Sequence, residues 1–367
     1  MVSSAPAPAL PDGLDAPVLN PASSPSTVPD LRPPAHVRAL KVVRRPHRAG
    51  APIGPELKSG EAFGDEAKAF DEATGFHGER DDFLESLRSF YTEATRDYRA
   101  WSAGYNMHFG WYAAGMNPFR RESMLERMNG EVLARVGVTG GRVADLGCGL
   151  GATARFAARA SADLRITGLT IVPWQVREAQ RMTREAGLAD RVRFRCTDYT
   201  ASGLRDAGFD GAYALESACH ASGRDKADFL AEAYRLLKPG GRLVVFDGML
   251  KRAPRSAFLK WCLRGCHRRW ALETFAVKDA FLERMAATGF EIIQVEDLSW
   301  RVAPSALHIP AVTARFLAQM AVERLRHGKR AALSKERWGN ALAPTLGLIL
   351  GMSRHLFGYY AVTAVKR

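Results

Sequence analysis

Long apolar runs are missing from this chain. The most apolar stretch, Ala341 to Met352 (ALAPTLGLILGM), is too short to span a bilayer, and Arg354 and His355 follow at once. The N-terminus lacks the charged start and apolar core of a secretory signal, and Asp12, Asp15 and Asp30 break up a transit-peptide pattern. Cysteine is scarce. Of Cys148, Cys196, Cys219, Cys262 and Cys266 only the last two are close, with no second pair to finish a zinc site and no disulfide framework. A reducing cytoplasm is the expected home, and no metal centre is expected. Acidic residues are in deficit as well: 39 stand against 52 basic ones, for a net charge of +13. That surplus favours anionic partners such as nucleic acid, acidic lipid or phosphorylated substrates, and says nothing about fold.

What is present falls into segments. Residues 1–55 are rich in Pro, Ala and Ser without apolar periodicity, the composition of a disordered tail, closed by the basic tract Arg38 to Arg48. From Asp65 to Tyr98 the apolar residues Phe70, Phe83, Leu84, Leu87 and Phe90 suit one helical face. An aromatic segment, Tyr98 to Tyr112 (YRAWSAGYNMHFGWY), follows, and after Pro118 a further helix runs to about Val136. Strands are expected at 142–147, 164–170, 191–197, 210–215 and 241–247 with helices between them, and later at 290–296 and 357–365. Such alternation predicts an α/β fold around a parallel sheet covered on both faces.

The sharpest signal is VADLGCGLGATARFA, Val143 to Ala157. An apolar strand ends near Asp145, and Gly147, Gly149 and Gly151 precede a helix, so the backbone can turn sharply and approach a ligand at the strand's carboxyl end. A bare GxGxxG would fit NAD or FAD equally. This spacing, with an acid two residues before the first glycine, resembles motif I of the class I S-adenosylmethionine-dependent methyltransferases. The resemblance implies a Rossmann-like seven-stranded sheet with an N-terminal helical cap over 56–140, a cofactor-binding core over 141–250, and C-terminal helical insertions with the last strands over 251–367. It implies that GLTIVPWQ, Gly168 to Gln175, holds the ribose and that CTDY, Cys196 to Tyr199, holds the adenine. Many members carry an acid at the end of strand two. This chain has Thr170, so Thr170 and Gln175, with Ile171 between them, are expected to share the ribose contacts, while Asp198 accepts from the adenine amine and Tyr199 supplies stacking surface.

A second cluster lies in FDGAYALESACHA, Phe209 to Ala221, where a carboxylate, a hydroxyl, a thiol and an imidazole crowd together. A metal site would need a further ligand cluster, and a serine nucleophile would need a G-x-S-x-G elbow; neither is visible. With R-L-L-K-P-G-G downstream and M-H-F at residues 107–109, the stretch is similar to the sterol C-methyltransferases. Leu215–Ser217 and GLTIVP also resemble the tocopherol-type enzymes. The acceptor this implies is lipophilic, a sterol-like or isoprenoid alkene methylated at carbon, or alternatively a phenol or amine methylated at oxygen or nitrogen.

Attack by an alkene leaves a carbocation, which calls for aromatic faces and a base. Trp101, Tyr105, Phe109, Trp111 and Tyr112 offer faces, unless they pack as core. His108, Glu216 and His220 are the catalytic candidates, each with a structural alternative as a hydrogen-bonded residue, and Tyr91 is a candidate for the methionine carboxylate or for helix packing. The basic segment Lys251 to Trp270 reads as an amphipathic surface helix, either a solvated face or a dock for an anionic membrane, and no nucleic-acid module accompanies it.

Overall fold

The computed structural model describes residues 80–94, 101–327 and 335–367; the expected tail over 1–55 and most of the helix expected from Asp65 lie outside them. In chain order the elements are α1 (Arg80–Ala94), α2 (Arg121–Val136), β1 (Gly141–Leu146), α3 (Ala152–Ala160), β2 (Leu164–Thr170), α4 (Pro173–Glu185), β3 (Val192–Cys196) and β4 (Phe209–Leu215). After a short 3₁₀ turn (Ala218–His220) come α5 (Ala227–Leu236), β5 (Leu237–Leu250), α6 (Ala257–Arg269), β6 (Ala276–Val277), α7 (Lys278–Ala287) and β7 (Phe290–Asp297). The chain ends with α8 (Ser299–Ala306), α9 (Ile309–His327), α10 (Lys335–Met352) and β8 (Phe357–Lys366).

The strands form one sheet in the order β3-β2-β1-β4-β5-β8-β7, with β6, which carries no periodic signal in sequence, added to the end of β5. β1 to β5 are parallel, and β8 runs antiparallel between β5 and β7. The order reverses between β1 and β4, so their carboxyl ends diverge into a crevice, the usual ligand site of such sheets. Burial on both faces explains the near-continuous apolar strands: β5 is buried from Leu243 to Leu250, whereas the edge strand β7, past its buried first residue Phe290, alternates between exposed and half-buried positions.

Alternate residues feed two cores. Leu146 of β1 with Leu243 and Val245 of β5 point to one face, where Phe229, Leu230, Ala233 and Phe281 cover them. Val143, Val244 and Phe246 point to the other, under Met128, Val132, Ala154 and Ala157. A third core joins α6 to α10 through Cys262, Leu263, Cys266, Leu346 and Leu350. No helix among the described residues is long and apolar enough to cross a membrane.

Candidate functional site

β1 delivers its glycine loop to the crevice by three left-handed turns, at Gly147 (φ 96°), Gly149 (φ 51°) and Gly151 (φ 72°). Two of these glycines are enforced by close neighbours: a Cβ on Gly147 would lie 2.3 Å from Ser217 Cβ, and one on Gly151 would lie 2.3 Å from the Phe194 ring. Gly149 is different. A Cβ there would meet nothing within 4 Å, so the tip of the loop faces open space. The loop is tied down by the Gly147 and Cys148 amides, which donate to Leu169 O at 3.1 and 2.8 Å.

One cavity runs from this loop across the carboxyl ends of β1, β2 and β4. Its walls include Asp145, Gly147, Gly149, Thr170, Ile171, Gln175, Asp198 and Tyr199. Burial pushes the Asp145 carboxyl up to about 7, and the Tyr213 hydroxyl beside it offsets only part of that rise. Thr170 Oγ1 donates to Gln175 Oε1 at 2.6 Å, so these two buried side chains act as a unit at the tip of β2. Asp198 accepts from the Thr200 amide and hydroxyl at 2.8 and 2.9 Å, an Asx turn that aims the segment after β3. The Tyr199 hydroxyl donates to Ser217 O at 2.6 Å, and its ring packs edge-on against Phe229.

Past the β4 tip the cavity turns apolar and aromatic, with Phe83, Leu87, Trp101, Tyr105, Phe109, Trp270, Phe275, Ile309, Leu350 and Phe357 in its wall. The aromatic segment therefore splits. Trp101, Tyr105 and Phe109 line the cavity, while Trp111 is buried core, flanked by the Arg135 and Arg301 guanidiniums at 5.0 and 5.6 Å from its ring centre. Tyr112 is not among the lining residues.

Glu216 stands where the two halves meet, at φ 51°, a conformation costly for a residue with a side chain. Its Oε1 accepts from the Phe109 amide and from the Tyr359 hydroxyl, both at 2.7 Å. Burial, with the Asp247 charge adding to it, pushes the Glu216 carboxyl up to about 8 against these hydrogen bonds. His108 lines the same wall; its Nδ1 donates to Phe109 O at 2.9 Å, and burial holds it down to about 4. His220 Nε2 lies 2.7 Å from the Tyr91 hydroxyl, a contact between the loop after β4 and α1. Burial and the nearby Lys226 charge push His220 down to about 3.

Several residues at this site are invisible to sequence reasoning. Tyr359 reaches Glu216 only because β8 inserts beside β5. Asp247, pushed up to about 6 by burial, accepts from the Cys219 and Gly248 amides at 2.9 and 2.8 Å. Lys226 is fully buried, and its Nζ donates to the carbonyls of Cys219, Ala221 and Thr274 at 3.1, 2.6 and 2.8 Å, which clamps the loop bearing His220. Arg121 brings a cation to the cavity wall. Among the described residues no cluster of His, Cys, Asp or Glu could hold a metal ion.

These features suit S-adenosylmethionine: a glycine tip open to the crevice, a hydrogen-bonding pair at β2, a carboxylate after β3, and a buried Asp145 carboxyl in the cavity wall. A family profile described as a methyltransferase domain matches residues 143–241. An O-methyltransferase of Pyrenophora dematioidea is 32% identical over 203 residues, covering 54% of this chain and 73% of that one. The chain belongs to the class I S-adenosylmethionine-dependent methyltransferases. Within this methyltransferase family, a sterol 24-C-methyltransferase of Eremothecium gossypii is 31% identical over 230 residues, 59% of this chain and 57% of that protein. The chain spans 49–57% of the length of several curated relatives that it matches. Among solved structures the [4+2]-cyclase SpnF is 27% identical with a TM-score of 0.58, covering 75% of this chain and 96% of that one.

Proposed function

We propose that this methyltransferase moves a methyl group onto a carbon of a lipophilic acceptor of the sterol or isoprenoid alkene type. The observation that carries this reading is a carboxyl raised to about 8 at the entrance of an aromatic, apolar chamber that is continuous with the glycine crevice. In this reading Thr170 and Gln175 hold the ribose, Asp198 and Tyr199 hold the adenine, and Asp145 faces the bound cofactor from the cavity wall. When bound, the cofactor supplies an electrophilic methyl group whose departure leaves a neutral thioether. The chain's own work is to align the acceptor and exclude water.

Carbon methylation leaves positive charge on the acceptor, and the faces of Trp101, Tyr105 and Phe109 stabilise it. The new double bond forms when a proton leaves the acceptor for Glu216, whose Oε1 is held by Phe109 and Tyr359 so that Oε2 takes the proton. His108 and His220 are weaker bases, held down to about 4 and 3, and in this reading they orient the wall instead. A second reading has its own support: the Pyrenophora relative is an O-methyltransferase, and Glu216 would equally accept a phenolic proton.

The test supplies cofactor carrying a ¹³C-methyl group with a panel of isoprenoid alkenes and prenylated phenols. A ¹³C label bonded directly to an acceptor carbon, read from its carbon chemical shift and its long-range couplings, supports the first reading. Label found only on oxygen or nitrogen moves the assignment to the second. No transfer to any acceptor by a protein that binds S-adenosylhomocysteine counts against both.

A further inference from the structure

We propose that the outer face of α6 docks on an anionic lipid bilayer and sets the apolar end of the cavity against the membrane. The purpose of this docking rests on the lipophilic acceptor proposed above; the surface itself does not. Two observations carry it.

The first is an exposed aromatic pair inside a field of unopposed positive charge. Phe258 and Trp261 are 57% and 52% exposed, and their rings stack with centroids 6.1 Å apart at 22°. Large aromatics that exposed on a water-facing helix lose apolar burial with no return, but at a bilayer interface they sit at the headgroup level, where Trp is enriched. Spacings of three, three and four residues put Phe258, Trp261, Arg264 and Arg268 on one stripe, opposite the buried Cys262, Leu263 and Cys266. No Asp or Glu occurs from Lys251 to Leu272. Lys251 pairs with Asp297, whereas Arg252, Arg255, Lys260, Arg264 and Arg268 have no acidic partner among the described residues. Most proteins intersperse the two signs along a solvated helix; a one-signed face with an aromatic wedge matches an acidic headgroup layer.

The second is what lies beneath. The buried face of α6 packs against α10, close enough that a Cβ on Gly265 would fall 2.5 Å from Leu346. That core contains Leu272, Phe275, Leu350 and Phe357, which are also walls of the apolar chamber. One helix pair thus separates the charged face from the chamber. The pairing is antiparallel, Cys266 beside Ala343 and Gly265 beside Leu346, so the exposed end of α10 at Met352 lies at the same end of the pair as Phe258. A lipid-borne acceptor would then enter without crossing water. A nucleic acid would share the charge but has no use for an adjoining apolar chamber, so a bilayer is favoured.

The test is co-sedimentation of the full chain, without acceptor, on phosphatidylcholine vesicles with and without phosphatidylglycerol. Binding is expected on the anionic vesicles and not on the neutral ones, and it should weaken at high salt. The combination Arg255→Glu, Arg264→Glu and Arg268→Glu should cut partitioning at least about a hundredfold, since each charge near the surface contributes roughly fivefold. Phe258→Ser with Trp261→Ser should cut it about tenfold. Calorimetry with S-adenosylhomocysteine should be unchanged in these variants, because the substituted side chains lie outside the cavity. Should the triple variant lose that binding, Arg255→Glu with Arg268→Glu, both on exposed side chains, replaces it. Three outcomes overturn the proposal: no sedimentation of the wild type with anionic vesicles, equal sedimentation of the charge-reversed protein, or tighter binding of single-stranded RNA than of vesicles through the same residues. Because no acceptor is present, failure here leaves the acceptor reading standing, and failure of methyl transfer leaves this surface standing.

Discussion

At the scale of single residues, two positions separate folding from chemistry. Gly149 has room for a side chain, but only over the crevice, and its left-handed φ costs a non-glycine residue roughly 1–2 kcal/mol. Gly149→Met should therefore leave a folded protein, a few degrees less stable, whose affinity for S-adenosylhomocysteine falls by about a hundredfold or more in calorimetry. Gly147→Ala should behave differently, because its Cβ drives into Ser217 and disturbs the loop itself. Glu216 carries the pH dependence. A carboxyl raised from 4.5 to about 8 holds its proton in the folded state, so the basic form accumulates only as pH rises through about 8. Turnover of a carbon acceptor should rise up to that pH and then level off, and Glu216→Gln should lower it by about 10²–10⁴ while keeping an oxygen for Phe109 and Tyr359. The same shift has a stability consequence. Between about 4.5 and 8 the folded chain binds this proton more tightly than the unfolded one, so its contribution to stability declines as pH rises. Urea titrations across that range should show the slope, and Glu216→Gln should reduce it.

At the scale of elements, the turn after β4 is held by atoms from elsewhere. Lys226 clamps three carbonyls, Asp247 of β5 takes the Cys219 amide, and Tyr91 of α1 meets His220. A charge buried at Lys226 is stable only because the carbonyls surround it, and its pKa is still pushed down to about 8 by that burial. Lys226→Met removes the donor and leaves those carbonyls without it, at an expected cost of about 3 kcal/mol in urea unfolding. The glycine loop was legible in sequence because all of its constraints are local: the turn, its left-handed residues and the helix that follows are contiguous. The clamp was not legible, since nothing in a single lysine after a serine–glycine stretch says which carbonyls will surround it.

At the scale of the whole molecule, the last strand is structurally central. β8 pairs with β5 along Arg242–Leu250 and with β7 along Phe290–Asp297, so it bridges the parallel half of the sheet to its edge. It also brings Tyr359 to Glu216. A chain ending at Leu356 should lose both the cooperative unfolding transition and S-adenosylhomocysteine binding, measured by thermal melt and calorimetry, although it retains every residue of the glycine loop. Alternation of strands and helices predicted the parallel core, and the strand expected at 357–365 is found at Phe357–Lys366. Its neighbours were not predictable, because strand periodicity reports which residues face a core and not which strand lies beside which.

Local order was thus written in the chain itself: the alternation that makes a covered parallel sheet, the glycine spacing that opens the crevice, and the acid-free basic stretch that becomes α6. These are properties of neighbours along the backbone, where sterics and burial periodicity act directly. Tertiary structure decided which of the aromatics from Trp101 to Tyr112 face the cavity, which acid sits at its entrance with a raised pKa, and which helix face is left bare. Each of those depends on contacts that the local pattern does not encode, such as Glu216 with Phe109 and Tyr359, more than a hundred positions away, and only the packed sheet brings such groups into one low-dielectric space.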